Sequence, residues 1–91
     1  MTELFTQTCK EIIGRGSLDE LKGEIQERMR CEGADQIAWE YVILKTYLHA
    51  CLKKKKEIAE WIVSQMSLLD PIQQIAIRQM IPYGRVLLGK N

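Results

Sequence analysis

The chain reads as an all-α domain. Three observations carry that reading. Apolar residues recur at helical spacing in successive segments, caps and helix breakers fall between those segments, and no alternating run is long enough for a sheet. Ninety-one residues leave room for one domain, 1–91, of about five short helices. Connections this short set successive helices side by side as antiparallel neighbours.

The first helix spans about Glu3 to Ile13, with Phe5, Cys9, Ile12 and Ile13 at i, i+4, i+7 and i+8. Gly14-Arg15-Gly16 ends it, because two glycines inside a helix cost about 2 kcal/mol. Ser17-Leu18-Asp19-Glu20 has the form of a capping box: the Ser17 hydroxyl accepts from an amide in the first turn and Glu20 reaches back. The second helix runs to about Arg30. Its apolar stripe (Leu18, Leu21, Ile25, Met29) is narrow, which predicts a surface helix with one buried edge. Glu32-Gly33-Ala34 breaks the chain, and Asp35 is placed to cap a third helix from Gln36 to about Leu52.

That third helix is apolar on most sides, so it should be central, with neighbours on two faces. Lys53-Lys54-Lys55-Lys56 interrupts the pattern, and Ile58, Trp61, Ile62, Met66 and Leu69 restore it. Asp70-Pro71 is the clearest boundary. Proline at the first helical position loses no hydrogen bond, Asp70 caps, and Gln73 completes a capping box. The last helix carries Ile72, Ile75, Ala76 and Met80 and is expected to stop before Pro82-Tyr83-Gly84, with Arg85-Val86-Leu87-Leu88 as a short apolar tail. Trp61, Ile62, Leu44 and Leu48 are expected among the most buried side chains.

Thirteen basic and twelve acidic residues give a formal charge of +1, which argues against a protein that coats nucleic acid by bulk electrostatics. At 46% hydrophobic and 27% charged, the composition is globular and not disordered. Tyr41-Val42-Ile43-Leu44 is far too short to span a bilayer, and the N-terminal residues show no secretory signal, so a cytoplasmic protein without a membrane partner is expected. Three cysteines (Cys9, Cys31, Cys51) are an odd set at unpatterned spacing, which fits free thiols in a reducing compartment.

Catalytic constellations are missing from the pattern. His49 and Cys51, two apart on a helix, point about 200° from each other and form no pair. No Cys/His spacing resembles a metal site, and Gly14-Arg15-Gly16 follows a helix where a phosphate loop follows a strand. The expectation is a non-enzyme with no catalytic residue, metal or cofactor. The run Lys53, Lys54, Lys55 and Lys56 is the strongest charge feature. It reads as a solvated helix corner at the negative end of a helix dipole, as a phosphate-contacting patch, or as a docking surface for an acidic partner. Trp39, Trp61, Tyr41 and Tyr47 are hard to bury completely in so small a domain, which leaves room for a groove.

Ala38-Trp39 through Leu68-Leu69-Asp70-Pro71 resembles a stretched tetratricopeptide hairpin, with an early aromatic, small residues (Ala50, Ala59) at the crossing and a closing Asp-Pro. The stretch from Ala50 to Val63 also resembles the paired helices of an ankyrin repeat, without the glycine at its turn. Ala50-Cys51-Leu52, Ile58-Ala59-Glu60-Trp61-Ile62, Asp70 and Ala76-Ile77-Arg78-Gln79-Met80-Ile81-Pro82 together resemble the small tetratricopeptide-like chaperones of type III secretion needle subunits. That resemblance implies a cytosolic protein that pairs with a second small helical chaperone and sequesters an amphipathic helix of the needle subunit. The expected groove lies where the central helix meets the last one. Tyr41, Leu44, Tyr47, Leu48 and Cys51 would line one side, and Ile75, Met80 and Ile81 the other. A second class competes. Leu48-His49-Ala50-Cys51-Leu52-Lys53-Lys54 and Ser67-Leu68-Leu69…Pro71 are similar to the nodaviral B2 suppressors of RNA silencing, which implies a helical dimer lying along double-stranded RNA.

Overall fold

A computed structural model describes residues 1–89. Five helices account for most of them: α1 (Thr2–Arg15), α2 (Leu18–Arg30), α3 (Trp39–Leu52), α4 (Lys56–Ser64) and α5 (Pro71–Leu87). Short 3₁₀ turns at Ala34–Gln36 and Gln65–Leu68 join them, and there is no strand among the described residues.

The caps decide most boundaries. Gly16 takes a left-handed conformation (φ 77°) and its N–H closes on the carbonyls of Ile12 and Ile13, so α1 runs past Gly14 before it stops. The Ser17 hydroxyl accepts the Glu20 amide at 3.2 Å, but the Glu20 carboxylate pairs with Arg15 at 2.6 Å instead of reaching back, so only half of the expected box forms. Asp70 and Gln73 make the full reciprocal box. Asp35 caps nothing: it sits in the 3₁₀ turn, and α3 starts at Trp39, three residues later than Gln36. The start of α3 is tied instead by one long-range contact and one local one. The Ala38 amide donates to the Thr2 hydroxyl at 3.1 Å, and the Trp39 indole N–H donates to the Ala34 carbonyl at 2.9 Å.

The last helix does not stop at Pro82. It continues through the proline to Leu87, and the expected tail is its final turns. Proline inside a helix removes one backbone bond and crowds the carbonyl four residues back, at a cost of about 3 kcal/mol. Here Pro82 and Arg78 are both on the wet side, so the carbonyl deprived of its amide meets water. Continuation is favoured because Ile77, Ile81, Gly84 and Leu88 recur at i, i+4, i+7 and i+11, and all four lie against the core.

α3 is central, packed against α1, α4 and α5. The odd helices run in one direction. Thr2 meets Ala38 at their N-terminal ends, and further along the row Tyr47 meets Ile81 and Lys54 meets Leu87. α2 and α4 return antiparallel on one side of this row, where Lys22 of α2 lies over the Trp61 ring. The result is a slab 18 Å thick in its short dimension, two helix layers deep.

The core differs from expectation in detail. Ile62 is fully buried, but Trp61, Leu44 and Leu48 keep partial exposure. Their places are taken by Ile13, Leu21, Val42, Thr46 and Ile77. Thr46 is buried at no polar cost because its hydroxyl donates to the Val42 carbonyl at 2.6 Å. Small residues at the crossing, Ala50 and Ala59, are both buried, as the hairpin pattern predicts.

Candidate functional site

α4 and α5 share the neighbour α3 but diverge from each other, and a cleft of about 610 Å³ opens between them. Its apolar lining comes from Tyr47 of α3, Ala59 and Val63 of α4, and Ile81 and Leu88 at α5; Lys56, Glu60 and Arg85 stand beside them. The Tyr47 ring forms the floor. Its hydroxyl donates to the Ile81 carbonyl at 3.1 Å, and the ring lies so close to Gly84 that a Cβ there would collide with the hydroxyl oxygen and the ring edge. Glycine is required at 84 for α5 to approach the ring at all.

Tyr47 is 3% exposed. Burial, and then the neighbouring Cys51, push its hydroxyl up to about 12, with Arg85 pulling weakly the other way. Burial likewise raises Cys51. Both groups therefore stay protonated near neutrality. The cleft offers apolar contact with two cations and one carboxylate at its margin.

The eight residues expected to form one groove separate into four sets. Tyr47 and Ile81 come together in the cleft. Cys51 is fully buried in the core behind them and is not available to a partner. Tyr41, Leu44 and Leu48 occupy another stripe of α3, turned about 100° from Tyr47, where Lys45 lies over the Tyr41 ring. Met80 is half-buried on one flank of α5, and Ile75 points outward, 53% exposed.

The lysine run disperses. Lys53 caps α3 at its C-terminus, and Lys54 follows in a left-handed conformation (φ 60°). The Lys54 amide bonds the Cys51 carbonyl and the Lys55 amide the Ala50 carbonyl, which is the helix-ending arrangement usually built on glycine. The Lys54 ammonium donates to the Leu87 carbonyl at the end of α5. That of Lys55 lies against Gly16 at the end of α1. Three parallel helices present their negative ends here, and two lysines answer two of them. Only Lys56 of the run borders the cleft.

No protein-family model, curated protein or solved structure matches the chain.

Ala59, Val63, Arg85 and Leu88 were outside the expected groove. The cleft needs α5 to continue past Pro82, and the signal for that was present in the spacing of Ile77, Ile81, Gly84 and Leu88. A smaller cavity of about 520 Å³ lies at the opposite end of the slab, lined by Met29, Ile37, Trp39, Ile43 and Leu69 among others. Cys9 and Cys51 are buried free thiols and Cys31 is an exposed one. No group of metal-ligating side chains occurs among the described residues, and no helix there is long and apolar enough to cross a membrane.

Proposed function

We propose that the protein is a non-enzymatic holder of helices, which shelters an amphipathic helix of a partner in the cleft between α4 and α5. The observation that carries this reading is the cleft itself: an apolar floor set on a rigid helical row, with Lys56, Glu60 and Arg85 at its margin. Clefts of this kind take apolar side chains spaced i, i+3/i+4 and i+7 along a helix. Tyr47 suits the floor because its ring is rigid and its polar end is already satisfied.

Within that reading, the type III secretion resemblance supplies the cargo: the amphipathic helix of a needle subunit, held in the cytosol together with a second small chaperone. The RNA-binding alternative needs a row of free cations, whereas the Lys54 ammonium is bonded to the Leu87 carbonyl and that of Lys55 lies beside the end of α1.

Fluorescence anisotropy tests the proposal. A labelled peptide copying the amphipathic C-terminal helix of a needle subunit is titrated with the protein and with its Val63→Asp variant. The expected result is micromolar binding that Val63→Asp weakens by about tenfold or more, with helicity by circular dichroism unchanged. No binding, or equal binding to both proteins, overturns the proposal. Replacing Lys56 and Arg85 by Gln should chiefly slow association and flatten its salt dependence.

A further inference from the structure

α5 has a second apolar face, on the side away from the core. Ile77 and Gly84 point inward and are buried. Opposite them Ile72 is 79% exposed, Val86 74% and Tyr83 66%, with Ile75 also exposed. Ile72, Ile75, Gln79, Pro82 and Val86 follow the spacing 3-4-3-4, the a and d positions of a coiled-coil heptad. No further helix among the described residues covers this seam.

Charge says what fits it. Arg78 and Arg85 are the only charged residues of α5, and both are exposed. They are seven apart, so both fall at the g position on one flank of the seam. α5 holds no carboxylate. Laid antiparallel on a second copy, the seam would set Arg78 opposite Arg85 of that copy, like charge against like. Laid parallel, Arg78 would meet only a tyrosine, Tyr83 of the second copy. Neither arrangement gives the arginines a carboxylate, which a helix carrying Asp or Glu on that flank would.

We infer that the outward face of α5 is a docking surface for a partner helix that is apolar at its own a and d positions and carries Asp or Glu, one heptad apart, facing Arg78 and Arg85. The apolar seam supplies affinity, and the two arginines select an acidic partner and set its register. This surface is separate from the cleft, although Arg85 borders both.

Two synthetic three-heptad peptides test it, both with Leu at a and d, one with Glu at e and g and one with Lys there. Binding is read by anisotropy against the full chain and against Ile75→Glu, Ile72→Glu and Arg78→Glu. The Glu peptide should bind at least about tenfold tighter than the Lys peptide. Ile75→Glu and Ile72→Glu should each weaken it about tenfold or more. Arg78→Glu should reduce or reverse the preference between the peptides. Val63→Asp, which damages the cleft, should leave all of this unchanged, so failure here and failure of the cleft reading are separable. Both isoleucines are exposed, so either variant serves if the other fails to fold. Equal binding of the two peptides overturns the inference, as does indifference to both isoleucine changes. Sedimentation of the pure protein gives the third contrary outcome: a dimer abolished by Ile75→Glu would make the second copy the occupant.

Discussion

α2 and α5 both lie at margins of the helical slab, and they meet water differently. Every exposed residue of α2 (Asp19, Glu20, Gly23, Gln26, Glu27, Arg30) is polar, charged or glycine. Among the exposed residues of α5 are Ile72, Ile75, Pro82, Tyr83 and Val86. A helix at the edge of a stack is normally finished with a polar outer face, because nothing follows to cover it. α2 is finished in that way and α5 is not. The two helices also use glycine differently. Gly23 of α2 has open space where a Cβ would stand, while Gly84 of α5 is pressed on the Tyr47 ring. α2 is a cover with slack around it; α5 is fitted closely on one side and left bare on the other.

The largest effect that would break or sharpen this contrast is a pair of glycine replacements. Gly84→Ala should cost about 3 kcal/mol by overpacking, because Tyr47 is held by its own hydrogen bond and cannot swing clear. Gly23→Ala should stabilise by up to about 1 kcal/mol, since alanine is the better helix former and meets nothing. Urea midpoints measure both, and a Gly84→Ala protein as stable as the parent would show that α5 is not seated on the ring.

Alkali gives the next effect. Burial, with Glu24 adding to it, pushes Cys9 up to about 12 from the ordinary 9.0, and Tyr47 rises from 10.0 to about 12. Both groups hold their protons more tightly folded than unfolded. Their contribution is therefore complete below about pH 9 and is lost as pH rises toward about 12. Tyr47 anchors α5, and Cys9 lies in α1 near Glu24 of α2, so ionisation of the two should loosen the two margins alike, and the urea midpoint should fall through this window. Tyr47→Phe should remove the tyrosine's share of the alkaline loss.

The caps separate the helices by a smaller margin. Asp70→Ala removes a full reciprocal box and should cost about 1–2 kcal/mol; Ser17→Ala removes half of one and should cost about 1 kcal/mol or less. Smallest of all, Ile72→Gln and Val86→Gln should change stability by no more than about 0.5 kcal/mol while raising solubility. A loss above about 1 kcal/mol at either position would mean that the seam is already covered within the chain.

How far the sequence foretells such features depends on whether their cause is local. Asp70-Pro71 with Gln73 is a self-contained device, and α5 starts where it says. Asp35 has the same chemistry, but α3 begins instead beside the bond from the Ala38 amide to Thr2, thirty-six residues from Ala38, which no local pattern contains. Pro82 shows the reverse failure: a strong local stop is overridden because the face that follows it is buried. The central place of α3 was legible, but which of its side chains are most buried was not. Apolar on most sides, it offers no single stripe, and Thr46 was hidden beside the larger Leu44 and Leu48, which are half wet. The cleft inherits both difficulties, since it exists only when α5 runs past its proline and lies beside α4.

The parallel row of α1, α3 and α5 also sets an order of events. Helices that run in the same direction cannot be joined by a tight turn, so contacts along the row span long stretches of chain: Ala38 to Thr2 is thirty-six residues, Tyr47 to Ile81 thirty-four and Lys54 to Leu87 thirty-three. The hairpins α1–α2 and α3–α4 close over short loops and can form early; the row closes late. During synthesis from the N-terminus, Tyr47 waits uncovered until about residue 88 has emerged, and α5 arrives with both of its apolar faces bare. A helix that bound either face in that interval would meet the protein before it has finished folding, so under the binding proposed above timing as well as fit would decide what is held.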